Sequence, residues 1–294
     1  MEGLAIFPRA TLGNGPNAFD WWRCAAAAHG INLRVAFIED IATGVSGRNM
    51  SLYIAGEQTP TPDITIMRGY DMALSRQLEL MGSRVVNSTD SMLTSHDKML
   101  THLRLTQSGI STPATFLVDR SCTYDTAKAL VGDSRFVVKQ TDGSRGINVS
   151  LVSDHSEFVS AAESCGRNML VQRYVESSHG RDMRVWVIGG SVVCAVIRNS
   201  IDNRFVSNYS QGGNATLCTP PPEAAALAIA ATEAIGLFFA GVDLLFDGDG
   251  YTVCEVNGNA GFRSAVACGA PDIIDFFFTK LCHIPNNVTS VLSK

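Results

Sequence analysis

The sequence has no CxxC pair, no run of lysine or arginine, and no apolar stretch near the ~20 residues that a membrane-spanning helix needs. Its eight cysteines (Cys24, Cys122, Cys165, Cys194, Cys218, Cys254, Cys268 and Cys282) are scattered singly, without metal-ligand spacing. Several sit in apolar runs, where a free thiol behaves as a small hydrophobe, so neither a disulfide framework nor a zinc site is expected. A net charge of −5 without a basic run argues against non-specific nucleic-acid binding. The opening MEGLAIFPRA lacks the basic start and long apolar core of a secretory leader. These absences predict a soluble, reduced, cytoplasmic protein whose partners include no nucleic acid and no membrane. No GxGxxG follows the first strand and no GxxxxGK[ST] occurs, which excludes a dinucleotide fingerprint and a P-loop. The six histidines show no pairing, and no Ser-His-Asp or Cys-His order stands out. What remains is 294 residues, 46% hydrophobic and 17% charged: enough to bury a sizeable core in one large domain or a few small ones.

Strands and helices alternate from the start. A strand at Leu4–Phe7, a helix over Ala18–His29 stopped by Gly30, and a strand at Leu33–Ile38 make a βαβ opening. Strands at Ser51–Ala55, Ile64–Arg68 and Arg84–Asn87, with a helix over Met72–Met81, continue it and argue for a parallel sheet covered on both faces. Residues 88–108 read as one helix containing Asp97 and Lys98. Strands at Ala114–Val118, Arg135–Lys139, Val149–Val152 and Met169–Val175 then alternate with helices over Thr123–Leu130 and His155–Cys165. Gly189-Gly190 joins Arg184–Ile188 to Ser191–Arg198 as a hairpin. Ser200–Thr219 is polar and Gly-rich, too long for a tight turn. Prolines 220–222 precede a helix from Glu223 to Ile235, and a helix over Asp272–Leu281 follows a second hairpin.

That second hairpin carries the densest chemistry. Asp243 ends the apolar run Phe238–Val242, the turn DGDG follows, and Glu255 and Asn257 close the run Tyr251–Cys254. Residues two apart on a strand share a face, so Glu255 and Asn257 point the same way. Three hard oxygen donors without His or Cys suit Mg²⁺, which takes one or two carboxylates and leaves room for water and phosphates. A polar hairpin with solvated acids is the alternative. Upstream, Lys139 ends a strand and is followed by QTDGSRGIN, whose Gly143 and Gly146 would let backbone N–H groups approach phosphate oxygens. A surface hairpin explains the same loop, and an exposed helix position explains Lys98. Arg184 and Arg198 offer planar forks for carboxylate or phosphate, or are exposed edge arginines.

In their joint order these features resemble the ATP-grasp superfamily, and within it the RimK-like amino-acid ligases, from about residue 4 to 281. The stretches that carry the likeness are Asp97-Lys98, VVKQTDGSRGI, VQRYVESSHGRDMRV, FVSNYSQGG, GVDLLF and CEVNGNAGF. The resemblance implies an α/β (α+β) ATP-grasp fold behind an N-terminal doubly wound parallel-sheet domain. The expected divisions are 1–95, a central lid-bearing part at 96–175, and a metal and substrate part at 176–294. ATP would lie between two sheets. Lys98 and Lys139 would contact its phosphates under a lid of Gly143, Ser144 and Gly146. Gln172, Arg173, Tyr174 and Val175 would meet the adenine, largely through backbone, and Asp182 the ribose, with Ser207 and Asn208 also at the nucleotide. Asp243, Glu255 and Asn257 would hold two Mg²⁺, or Mn²⁺. Arg184, Arg198 and Asn208 are the catalytic candidates, orienting an acceptor carboxylate and its acyl phosphate.

The activity implied is ATP-dependent joining of a carboxylate to an amine, adding a glutamate-like amino acid to a small molecule, peptide or protein, in a homodimer or homotetramer. The other reading is a silent nucleotide-binding regulatory protein on the same fold. The sequence departs from the family at Val206 and Gln211, where arginine is usual, at Arg173, where an acid is usual, and at Ala260, where NPG becomes NAG.

Overall fold

The structure is a computed structural model that describes residues 1–14, 17–142, 147–201, 205 and 214–283. Among these the chain forms two compact units: residues 1–92 with 272–283, and residues 93–271. In the first, β1 (Glu2–Phe7), α1 (Asn17–Ala28) and β2 (Asn32–Phe37) build the expected βαβ opening, with Gly30 at φ +72° behind the helix. A separate three-stranded antiparallel sheet follows: β3 (Ile41–Ser46), β4 (Asn49–Ile54) and β5 (Glu57–Thr59). Only β4 was legible in the sequence, because IATGVS and EQT are half-exposed and lack an apolar alternation. The parallel sheet resumes with β6 (Ile64–Met67), α2 (Met72–Leu80) and β7 (Arg84–Val86), in the order β2-β1-β6-β7. From β1 the order grows in both directions. Right-handed crossovers therefore put α1 and α2 on opposite faces, as in a doubly wound sheet.

The expected single helix over 88–108 is two: α3 (Thr89–His96) and α4 (Lys98–Gln107). Asp97 breaks the run. Its backbone is extended (φ −91°, ψ 117°) and its side chain accepts from the Leu100 N–H, so it caps α4 and makes Lys98 the first helical residue. β8 (Thr115–Asp119), α5 (Tyr124–Val131), β9 (Phe136–Gln140), β10 (Val149–Val152), α6 (His155–Ser164) and β11 (Asn168–Arg173) follow. They give an antiparallel sheet ordered β10-β9-β11-β8, whose Phe136, Val138, Met169 and Val171 pack on Phe158, Ala161 and Ala162 of α6.

A five-stranded antiparallel sheet completes the second unit. Its strands are β12 (Arg181–Ile188), β13 (Ser191–Asn199), β14 (Asn214–Cys218), β15 (Phe239–Asp247) and β16 (Gly250–Asn257), ordered β14-β13-β12-β15-β16. α7 (Pro222–Ile235) precedes β15 and packs on this sheet through Ala224, Ala228, Ala231 and Ile235, three small residues and one large apolar one at helical spacing on one buried stripe. α8 (Arg263–Ala267) follows β16. The last helix, α9 (Ile273–Cys282), belongs to the first unit. The Trp22 ring meets Phe277 and Phe278 edge-on at 5.7 and 6.1 Å, and the Trp21 indole N–H donates to Asp272 at 3.1 Å. No helix among the described residues is long and apolar enough to cross a membrane.

Candidate active site

Register places the chemistry of the five-stranded sheet on one face. On β12, Asp182 lies opposite Arg198 and Arg184 opposite Asp243; on β16, Glu255 lies opposite Asp243 and Asn257 opposite Gly241. The side chains form a ladder of ion pairs across three strands. Arg184 grips Asp243 with two bonds, Nε to Oδ1 and Nη2 to Oδ2, both 2.6 Å. Arg198 reaches the same Oδ2 at 2.9 Å, and pairs with both Asp182 oxygens, Nε to Oδ1 at 2.7 Å. Such two-pronged guanidinium–carboxylate contacts fix orientation as well as charge. The ladder is buried: Arg198 is 2% exposed, Asp243 4% and Asp182 7%. Burial works to raise the Asp243 pKa, but Arg184 and then Arg198 hold it below the usual carboxylate range. Burial likewise opposes the Arg198 charge, and Asp243 and Asp182 outweigh it. The alternative that these are exposed edge arginines is thus overturned. β14, which nothing in the polar 200–219 segment announced, covers the flank of β13.

The hairpin of β15 and β16 contains a bulge between Asp243 and Leu244, so Cys254 is the extra residue. Val253 and Val256 are fully buried toward α7, whereas the Lys139 ammonium feels both Cys254 and Glu255. The bulge therefore turns two successive side chains to the site, which plain alternation would not. Gly241, opposite Asn257, has to lack a side chain: a Cβ there would meet the Ala260 Cβ at 2.6 Å, where the segment after β16 folds back.

The donor set fits Mg²⁺. Among the described residues no three His, Cys, Asp or Glu side chains form a cage. That agrees with an ion held by two carboxylates and an amide and completed by substrate oxygens. Among the described residues each donor keeps a lone pair: Asp243 Oδ1 accepts once, Asn257 Oδ1 accepts from the Asn259 N–H (2.9 Å), and half-buried Glu255 accepts no hydrogen bond.

Lys139 is the penultimate residue of β9 and is 4% exposed; burial lowers its pKa, with Cys254 and Glu255 opposing. Its Nζ donates to Gln172 Oε1 at 2.9 Å. Lys98, also buried, is tied by its backbone N–H to the Thr141 carbonyl at 2.9 Å, just beyond β9. One helical turn on, His102 joins Gln172 at 3.1 Å; sequence reasoning left it among the unpaired histidines. Its one signal was the four-residue spacing from Lys98, which puts both on one face of a helix.

Gln172 thus has its side chain engaged inward. Arg173 forms a two-pronged ion pair with Asp247 at the β15–β16 turn, and Tyr174 hydrogen-bonds His179 at 2.5 Å beneath the Arg135 guanidinium; Val175 is buried. Gly143, Ser144, Gly146, Val206, Ser207, Asn208 and Gln211 lie outside the described residues.

Two antiparallel sheets, one bearing the buried Lys139 with Lys98 on the helix tied to its end and the other a carboxylate–guanidinium face with oxygen donors, define an ATP-grasp enzyme. Residues 95–270 match the profile described as the RimK-like ATP-grasp domain. Over 288 residues the chain is 31% identical to a probable alpha-L-glutamate ligase 1 of Shewanella amazonensis, covering 93% of this chain and 96% of that one. Among solved structures it is similar to a RimK domain protein ATP-grasp from Sphaerobacter thermophilus (TM-score 0.71, 20% identity, 95% and 99% of the two chains covered). It is similar too to the ATP-grasp ligase PsnB complexed with a phosphomimetic variant of its minimal precursor, Mg and ADP (TM-score 0.68, 18% identity, 95% and 97% covered). The chain belongs to the RimK-like ATP-grasp family. It is an ATP-dependent ligase that forms carbon–nitrogen bonds.

Proposed function

We propose that this ligase activates a carboxylate with ATP and joins it to the amine of an amino acid, glutamate or one like it, on a small-molecule, peptide or protein acceptor. The observation that carries the reading is the pairing of opposites in one unit: Lys98 and Lys139 with the lysine-bearing sheet, and the Asp182–Arg198–Asp243–Arg184 ladder with Glu255 on the other. In the first step a carboxylate oxygen attacks the γ-phosphorus, the bond to the β–γ bridging oxygen breaks, and ADP leaves. In the second the amine nitrogen attacks the acyl carbon, phosphate departs with the C–O electron pair, and the nitrogen loses a proton. Both steps gather anions, so cationic side chains belong where charge develops.

Lys98 and Lys139 serve the phosphates; Gln172 to Val175 meet the adenine through backbone, and Asp182 stands toward the ribose. Of the two arginines, Arg184 has the more accessible side chain (15% against 3%) and is the one to orient the acceptor carboxylate, with Asn208. Arg198 holds Asp182 and Asp243 in place behind it. Asp243, Glu255 and Asn257 are the residues that would hold Mg²⁺, two ions by the family's habit and Mn²⁺ as a substitute; the metal would supply charge neutralisation at the phosphates. Gly143, Ser144 and Gly146 close over the phosphates and keep water from the acyl phosphate. Residues 96–175 and 176 onward act as the two jaws of a cytoplasmic homodimer or homotetramer. The name of the Shewanella relative supports glutamate. Val206 and Gln211, where the RimK pattern has arginine, lower the charge available to an acidic side chain, so neutral amino acids belong in the test.

That test is a phosphate-release screen of amino acids against carboxylate acceptors. Release is expected only when both are present. Glu255→Ala is expected to cut it by about a hundredfold or more, with thermal stability unchanged because Glu255 is half-buried and accepts no described hydrogen bond. Release indifferent to the acceptor pair, or near-normal turnover in Glu255→Ala, would sink the reading.

A further inference from the structure

Lys139 is anchored by a chain of hydrogen bonds whose directions follow from its ends. A threonine hydroxyl carries one proton. Thr112 gives its proton to the Val253 carbonyl at 3.0 Å, so toward His102 it can only accept. His102 Nδ1, 2.5 Å away, must then be protonated, which leaves Nε2 to accept from Gln172 Nε2 at 3.1 Å. On the other side Thr115 donates to the Pro113 carbonyl at 2.7 Å and accepts the second Gln172 amide proton at 2.7 Å. With both N–H groups assigned, Oε1 is the atom turned to Lys139. A flipped amide would set N–H against ammonium and oxygen against two acceptors. Val253 lies two residues before Glu255 on β16, so the chain runs from the Glu255 strand through α4 to the strand of Lys139.

We propose that His102 is a positioning residue of the ligase: as the Nδ1-protonated imidazole it locks the Gln172 amide, and through it the Lys139 ammonium, in register with the strand that carries Glu255. This rests on the assignment of Lys139 to the nucleotide phosphates. Lysine is a point charge on a flexible stem, so its aim depends on what its ammonium is bonded to. Burial, with Lys139 and then Lys98 beside it, pushes the His102 pKa down to about 3, which keeps the ring neutral and its acceptor nitrogen open. A charged imidazole would present a second N–H to the Gln172 amide and break the chain.

The experiment is equilibrium titration of the full chain with Mg-ADP for His102→Leu, His102→Gln and Thr112→Val, each with Lys139 intact and in Lys139→Met. His102→Leu is expected to weaken binding about tenfold, the scale of one hydrogen bond to a charged group. In Lys139→Met the same change is expected to cost less than about twofold, because its route to the nucleotide is already gone. His102→Gln, which offers an acceptor and a donor in the same order, is expected to restore affinity to within about threefold. Thr112→Val nearly conserves shape and supplies the same cycle should His102→Leu fail to fold; its expected loss is smaller and again confined to the Lys139 background. Equal losses in both backgrounds, or wild-type affinity in His102→Leu and Thr112→Val, overturn the proposal. Undiminished affinity in Lys139→Met itself overturns the phosphate assignment instead, so the two failures are told apart.

Discussion

Arg198→Met tests the buried ladder most directly. The guanidinium is 2% exposed and bonded to carboxylates on two different strands, Asp182 and Asp243. Methionine nearly fills its volume, so little of the effect comes from a cavity. What changes is charge. Asp182 loses its partner while staying buried, and Asp243 keeps Arg184 alone. Breaking a buried pair from one side costs about 3–5 kcal/mol, because an uncompensated charge is left out of water. For a unit of this size that lowers the melting temperature by roughly 6–20 °C. The assay is calorimetry without nucleotide, so ligand linkage does not contribute. The double variant Asp182→Leu/Arg198→Met removes the orphaned charge as well and is expected to recover most of the loss, since apolar replacements of buried ion pairs are often neutral or stabilising. If Arg198→Met melts within about 2 °C of wild type, or the double variant is worse than the single, the reasoning fails.

Three further outcomes follow from the same geometry. Asp97→Ala removes the cap that makes Lys98 the first residue of α4; it is expected to cost about 1 kcal/mol in denaturant unfolding and to raise KM for ATP by a larger factor than it lowers kcat. Gly241→Ala puts a Cβ 2.6 Å from that of Ala260, so the segment after Asn257 must shift; about 1–3 kcal/mol of destabilisation and weaker Mg²⁺ dependence of phosphate release are expected, and a wild-type metal titration would count against the crowding. His102, with a folded pKa of about 3 against an unfolded value near 6.5, binds its proton first in the unfolded chain, so stability falls as pH drops below about 6.5, by about 2 kcal/mol at pH 5. His102→Gln removes that slope, and superimposable stability profiles for the two proteins from pH 7.5 to 5 would show the histidine is not held neutral.

Local signals in the sequence reached a long way. The DGDG turn, the Gly189-Gly190 hairpin and the Gly236 helix end each depend on neighbours a few residues apart, and each stands where the residues put it. The Asp97 break was not legible, and residues 88–108 read as one helix: the acid that caps α4 is a start signal only once the run on either side of it is divided. The ladder was not legible as pairs. Arg184 meets Asp243 across 59 positions of sequence, and only the β12–β15 register decides that the arginine faces a carboxylate rather than solvent. The bulge at Cys254 is likewise invisible, because one inserted residue changes no composition. β14 was missed for a different reason: NATLC is five residues long with no buried position and earns its place from the β13 edge it pairs with.

The ring cluster of Trp22 with Phe277 and Phe278 joins chain segments some 250 residues apart, and the Trp21–Asp272 bond spans 251. The contiguous stretch 93–271 is therefore synthesised whole before the α9 side chains that complete the packing of Trp21 and Trp22 exist, although Phe7 and Arg68 already lie against Trp22. The unit that is begun earliest in the sequence is the one whose last helix is made last.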